Sequence, residues 1–98
     1  MVDKVPDVLK AIRECLDVDS VFDTRHATDR KSERSITWNE IMMVLRSGFH
    51  ERRKDKWEKL YQAWNYSIRG KTTEGRSLRV VVSFNESGAL IITAIDFT

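Results

Sequence analysis

Leu78–Phe97, LRVVVSFNESGALIITAIDF, is the stretch on which the fold turns. Leu78, Val80, Val82 and Phe84 alternate with Arg79, Val81, Ser83 and Asn85, the period of two that a strand imposes on its side chains. NESG then supplies a turn containing Gly88, and ALIITAIDF runs back, so the pair reads as a β-hairpin. Val81, Leu90 and Ile92 fall on the second faces of these strands. Both faces are therefore partly apolar, and a helix is expected over part of each.

Working back from the hairpin, GKTTEG reads as a turn, and Trp64, Tyr66 and Ile68 alternate with Asn65, Ser67 and Arg69 as a further half-buried strand. Between residues 46 and 59 lie six basic groups (Arg46, Arg52, Arg53, Lys54, Lys56, Lys59) against three acidic ones (Glu51, Asp55, Glu58), a solvated loop or strand edge in most proteins. Phe49 to Arg53 is a candidate strand, and Asp55 to Tyr61 is open between loop and helical turn. Thr37 followed by Glu40 is a capping box, behind which Trp38, Ile41, Met42, Leu45 and Phe49 keep helical spacing, with Gly48 as the stop. Val5, Val8, Leu9, Ile12, Cys15 and Leu16 predict an amphipathic helix with Asp3 as its N-cap, and Val21 and Phe22 a short strand after it. On that helix Cys15 reads as a small core residue rather than a nucleophile.

The order is helix, helical segment, helix, then strands. It predicts an α+β domain, N-terminal helices packed on a three- to four-stranded, mostly antiparallel sheet. Ninety-eight residues suffice for one such domain, residues 1–98, with an N-terminal helix in 1–20 and an α+β core in 22–97. The composition, 41% apolar and 33% charged, is that of a globular chain without a membrane helix. The N-terminus lacks a basic-then-apolar signal layout, so a cytoplasmic protein with no membrane partner is expected. Charge is uneven: residues 1–24 hold three basic and six acidic groups, and residues 25–98 hold fourteen and nine. A basic body suits a polyanion, although a net charge of +2 is modest for a nucleic-acid binder.

Chemistry concentrates in Asp23–Thr37, DTRHATDRKSERSIT. Four-residue spacing on a helix puts His26, Arg30 and Arg34 in one stripe, a titratable imidazole beside two permanent cations that could grip a phosphate. The competing reading is a solvated helix in which Arg25 pairs with Asp29, Arg30 pairs with Glu33 or Glu40, and His26 caps or packs. There is no CxxC, HExxH, Gly-rich phosphate loop or G-x-S-x-G elbow, so no metal or other cofactor is expected.

His26-Ala-x-x-Arg30-x-x-x-Arg34-Ser-Ile-Thr37, the helix ending Leu45-Arg-Ser-Gly48, Tyr66-Ser-Ile-Arg-Gly70, Leu78-Arg-Val-Val-Val-Ser83 and Ile91-Ile-Thr93 together resemble the small bacterial and phage proteins called domain of unknown function 4258. The similarity covers roughly residues 22–95. It implies a fold like that of the RelE and BrnT toxins, within the metal-independent ribonucleases that include barnase and the colicin nucleases. The chain departs from such toxins in its mild basicity and in a C-terminus, Ala94–Thr98, that offers no Arg or His to a site.

Three functions follow. In the first, a metal-independent endoribonuclease, His26 is the general acid or base, Arg30 and Arg34 hold the scissile phosphate, and Arg69 or Tyr66 assists from the sheet. Arg69 is favoured there, because Tyr66 shares the face of Trp64 and Ile68. His50 reads as an exposed histidine and Thr93 as a structural hydroxyl. In the second, a non-catalytic module binds nucleic acid or protein through Arg52, Arg53, Lys54, Lys56 and Trp57. In the third, the acidic N-terminal helix docks a protein partner such as an antitoxin.

Overall fold

The computed structural model describes residues 3–28, 33 and 35–98. Their elements, in chain order, are α1 (Val8–Asp17), β1 (Val21–Asp23), α2 (Arg25–Thr28), α3 (Trp38–Ser47), β2 (Phe49–His50), β3 (Lys56–Glu58), β4 (Ala63–Lys71), β5 (Ser77–Asn85) and β6 (Gly88–Asp96). A 3₁₀ turn, Arg52–Lys54, joins β2 to β3. The architecture is α+β, as the element order predicts. Six strands form the sheet rather than three or four: β4, β5 and β6 are long, and β1, β2 and β3 have two or three residues each, too short for an alternation to show.

The strands lie in the order β1-β6-β5-β4-β2, with β3 pairing the start of β4. β4, β5 and β6 form an antiparallel meander, and β1 adds to β6 in parallel. Gly88 opens β6 at φ +145°, with Ser20 O so close that a Cβ there would collide with it. Register puts Tyr66, Ile68 and Gly70 beside Val82, Val80 and Leu78 on one face. On β6 the pairing steps from Val81↔Thr93 to Val82↔Ile91, so Ile92 is the extra residue of a β-bulge. The bulge reverses the alternation: Ala89, Ile91 and Ala94 face inward, and Thr93 turns outward with Val81.

α1 and α3 cover the inward face. Val8, Ile12, Ile41, Val44 and Leu45 close a core with Ile68, Val80, Val82 and Ile91, each at most 2% exposed. Burial of this kind yields about 25 cal/mol per Å² of apolar surface and supplies most of the folding drive. The Thr37–Glu40 capping box forms in full: Glu40 N–H donates to the Thr37 hydroxyl at 3.2 Å and Thr37 N–H to Glu40 Oε1 at 3.0 Å. Gly48 ends α3, its N–H reaching Val44 O at 2.7 Å.

Several local expectations give way. The N-cap of α1 is Asp7, whose Oδ1 accepts from Lys10 N–H at 3.1 Å, because Pro6 has no N–H and the chain turns helical only after it. Phe49 lies on β2 and is 58% exposed, since α3 ends two residues earlier, at Ser47. Lys56–Glu58 is a strand, where loop and helical turn were open. Arg25 pairs with Asp23: its Nη2 lies 2.9 Å from Asp23 Oδ2, and its Nη1 donates to Ile36 O at 3.0 Å, while Asp29, the partner expected for it, lies outside the described residues. Cys15 is half-buried against the core, as its helical position predicts.

Candidate nucleic-acid interface

The outward face of β4–β6 carries Asn65, Ser67 and Arg69 from β4, Arg79, Val81 and Ser83 from β5, and Leu90, Thr93 and Ile95 from β6. Val81, Leu90 and Ile92, where a covering helix was expected, are half-buried, and both ten-residue helices pack on the other face. At the end of this face where β4 begins lies an open cleft of about 330 Å³. Leu90 and Ile92 help to line it, Tyr61 and Thr24 stand in its wall, and Asn65 and Asn85 bring amide groups. Lys56, exposed on β3, is in register with Asn65.

At the other end Arg69 and Arg79 are cross-strand partners. Arg79 Nε donates to Glu51 Oε1 at 2.9 Å, and Arg69 Nη1 is 3.8 Å from Glu51 Oε2. Both guanidinium groups also lie on the Phe97 ring, 4.3 and 4.6 Å from its centroid. The hydrogen bond from Arg79 is the main reason that the Glu51 carboxyl titrates below its ordinary range. Two cations against one anion leave this end positive. Along β4, Asn65 and Arg69 are about 13 Å apart at ~3.3 Å per residue. One face thus joins a cleft suited to flat rings with cations suited to phosphates.

Between the two ends Thr93 Oγ1 is buried with no hydrogen-bond partner among the described residues. Orphaned buried hydroxyls are rare enough to need a reason.

Residues 24–96 match the family model described as Domain of unknown function (DUF4258). The chain belongs to that family. No curated protein and no solved structure matches it. The DUF4258 span begins at Thr24, which lines the cleft, and leaves α1 outside.

His26 is exposed on α2, two residues beyond Thr24. Thr24 itself is held by β6, its N–H and hydroxyl donating to Ile91 O at 3.1 and 2.8 Å. The imidazole adds to the pull of Arg25, the main cause that holds Asp23 below the usual carboxylate range. Arg30 and Arg34 lie outside the described residues. Arg69 is not beside His26: β6 and β5 stand between β1 and β4, about 14 Å at ~4.8 Å per strand. Tyr66 is a core residue, 3% exposed, with its hydroxyl accepting from Val5 N–H at 2.9 Å. Arg52, Arg53 and Lys54 are exposed on the 3₁₀ turn at the β2 edge. Glu40 binds Arg76 Nη1 at 2.8 Å.

His50 is the residue that composition misled most. It sits in a charged run, which reads as exposed, yet its side chain is only 12% exposed and its Nε2 lies 2.8 Å from Asp55 Oδ1. The signal was its pairing position beside Ile68, which requires the strand register. Among the described residues no three His, Cys, Asp or Glu side chains group as metal ligands, and no helix is long and apolar enough to cross a membrane.

Proposed function

We propose that the chain is a metal-independent endoribonuclease of toxin type, acting in the cytoplasm on single-stranded RNA laid across the outward face. The observation that carries the reading is the joining of a ring-sized cleft, walled by Thr24 just before the exposed His26, to cations on the same face. In this reading His26 takes the proton of the RNA 2′-hydroxyl as that oxygen attacks the adjacent phosphorus. The 5′-oxygen leaves with a proton from solvent. Arg30 and Arg34 hold the scissile phosphate. Arg69, with Arg79, holds a flanking phosphate in this reading rather than the scissile one, since β5 and β6 stand between β4 and the strand that leads to His26.

A RelE/barnase-like arrangement belongs to the same proposal, supported by helices on one sheet face and a substrate-sized face on the other. The second reading is a module that binds RNA without cutting it. It draws on Arg52, Arg53 and Lys54, exposed on one turn, and Lys56 just beyond.

The deciding experiment incubates a mixed RNA with the protein in excess chelator, beside a folded His26→Ala variant. Cleavage by the parent alone supports the nuclease. If neither cuts and both bind with the same salt dependence, the binding module replaces it.

A further inference from the structure

Behind the sheet, on the side away from the proposed RNA face, a second constellation is left without a role. His50 is in register with Ile68, so its ring lies on the helix-bearing face, edge-on to Tyr66 with centroids 5.8 Å apart. Its Nε2 meets Asp55 Oδ1 at 2.8 Å. The other carboxylate oxygen of Asp55 accepts from Lys4 Nζ at 3.2 Å. The Asp55 side chain is 1% exposed and serves these two neighbours. Lys4, His50, Arg52 and Asp55 line an open pocket of about 280 Å³, with Val5 and Pro6 as its apolar wall.

The charges around this pocket favour an anion. Asp55 offsets one cation, leaving a net +1 with neutral His50 and +2 with the imidazolium. With Nε2 committed to Asp55, Nδ1 is the free position, and it bonds no described residue. In the neutral ring that bond places the proton on Nε2 and leaves Nδ1 an acceptor. Protonation turns Nδ1 into a donor while Asp55 supports the charge from behind. Arg52, Lys4 and the imidazolium then present three kinds of N–H donor to one small space.

We propose that this pocket binds a phosphomonoester dianion, using Arg52 and Lys4 as permanent cations and His50 as a protonatable third donor. A doubly charged group with three terminal oxygens matches that donor set better than a carboxylate, which has two oxygens and half the charge. The groups facing His50 are Asp55, Lys4, Arg52 and Tyr66, and a dianion held beside the ring favours the imidazolium. Binding therefore takes up a proton. Affinity rises as pH falls from 8 towards 6.5 and declines below about 6, where the phosphate loses its second charge.

The test is an NMR titration of the full chain with phenyl phosphate, a monoester that keeps its second charge down to about pH 6, at pH 6.5 and 8, following the ring signals of both histidines. Saturable shifts at His50, stronger at pH 6.5, are expected. His50→Gln keeps an amide at the Nε2 position for Asp55 but has no group in place of Nδ1, and Arg52→Met removes an exposed cation. Each should weaken phenyl phosphate binding by about ten-fold, the worth of a charge-assisted hydrogen bond. Unchanged affinity in both variants, or no shift at His50 in the parent, overturns the proposal. Two oligonucleotides, with 5′-phosphate and with 5′-hydroxyl, then identify the source. Competition by the 5′-phosphate form alone makes an RNA end the ligand, and competition by neither leaves a small free phosphomonoester. Equal competition by both means that a diester suffices, and the monoester assignment fails.

Discussion

Arg69 and Arg79 face each other directly across β4 and β5, two like charges in register, and Glu51 together with the Phe97 ring makes that placement tolerable. Like charges on opposed strand positions ordinarily repel. Here a carboxylate only 14% exposed bonds one guanidinium and draws the other, and the ring face attracts both.

Glu51→Gln should therefore lower stability by about 1–2 kcal/mol in urea unfolding, a hydrogen bond to a charged group lost from a partly screened site. It also frees two cations on the proposed RNA face. RNA binding should tighten, and its logarithmic dependence on salt should steepen by about one phosphate contact. A stable variant with unchanged salt dependence would mean that the pair does not meet nucleic acid.

Gly48 is needed for space rather than for backbone freedom, since its φ is −78°. A Cβ built there would lie 2.5 Å from Val44 O and 2.6 Å from Arg69 O, both backbone atoms that cannot swing away. Gly48→Ala should push α3 off β4 and cost about 3 kcal/mol, at the upper end of overpacking effects. A fall in Tm on the order of 15 °C is the readout.

The sequence showed those features whose signal is local. The Thr37–Glu40 box, the β5–β6 hairpin and the inward set Tyr66, Ile68, Val80 and Val82 follow from spacing alone, and all are found in the structure. What it hid depends on register between distant segments. The bulge at Ile92 turns Thr93 to the face that strict alternation gives to Ile92, and no composition rule announces it. His50 and Asp55 are five residues apart across an irregular 3₁₀ turn, a spacing that suggests no pairing until that turn is known. The Arg69–Arg79–Phe97 cluster needs three segments to meet.

Acid should unfold the protein partly through Asp96. Hydrogen bonds from Thr98, and then from Arg76, lower its pKa from 3.8 to about 2. A carboxyl depressed in the folded state contributes stability that is present above its unfolded value and is lost as pH falls through its folded one. The window is therefore pH 4 to 2. Arg76 also binds Glu40, whose carboxyl is lowered first by the Thr37 N–H and then by Arg76, so both acids act in the same direction. Asp96→Asn should flatten the decline of Tm across this window and leave the slope above pH 5 unchanged. A parallel curve for variant and parent would remove Asp96 from the account.

Thr93→Val separates a structural hydroxyl from a working one. Oγ1 of Thr93 is buried without a partner among the described residues, so replacing it by a methyl removes a desolvated polar atom and keeps the side-chain shape. Stability should hold or rise by up to about 1 kcal/mol. Because Oγ1 is closed to solvent, cleavage and binding of RNA by the same variant should be unchanged. A stable variant with full activity makes Thr93 a packing residue. Loss of stability would show that the hydroxyl is bonded within the folded chain.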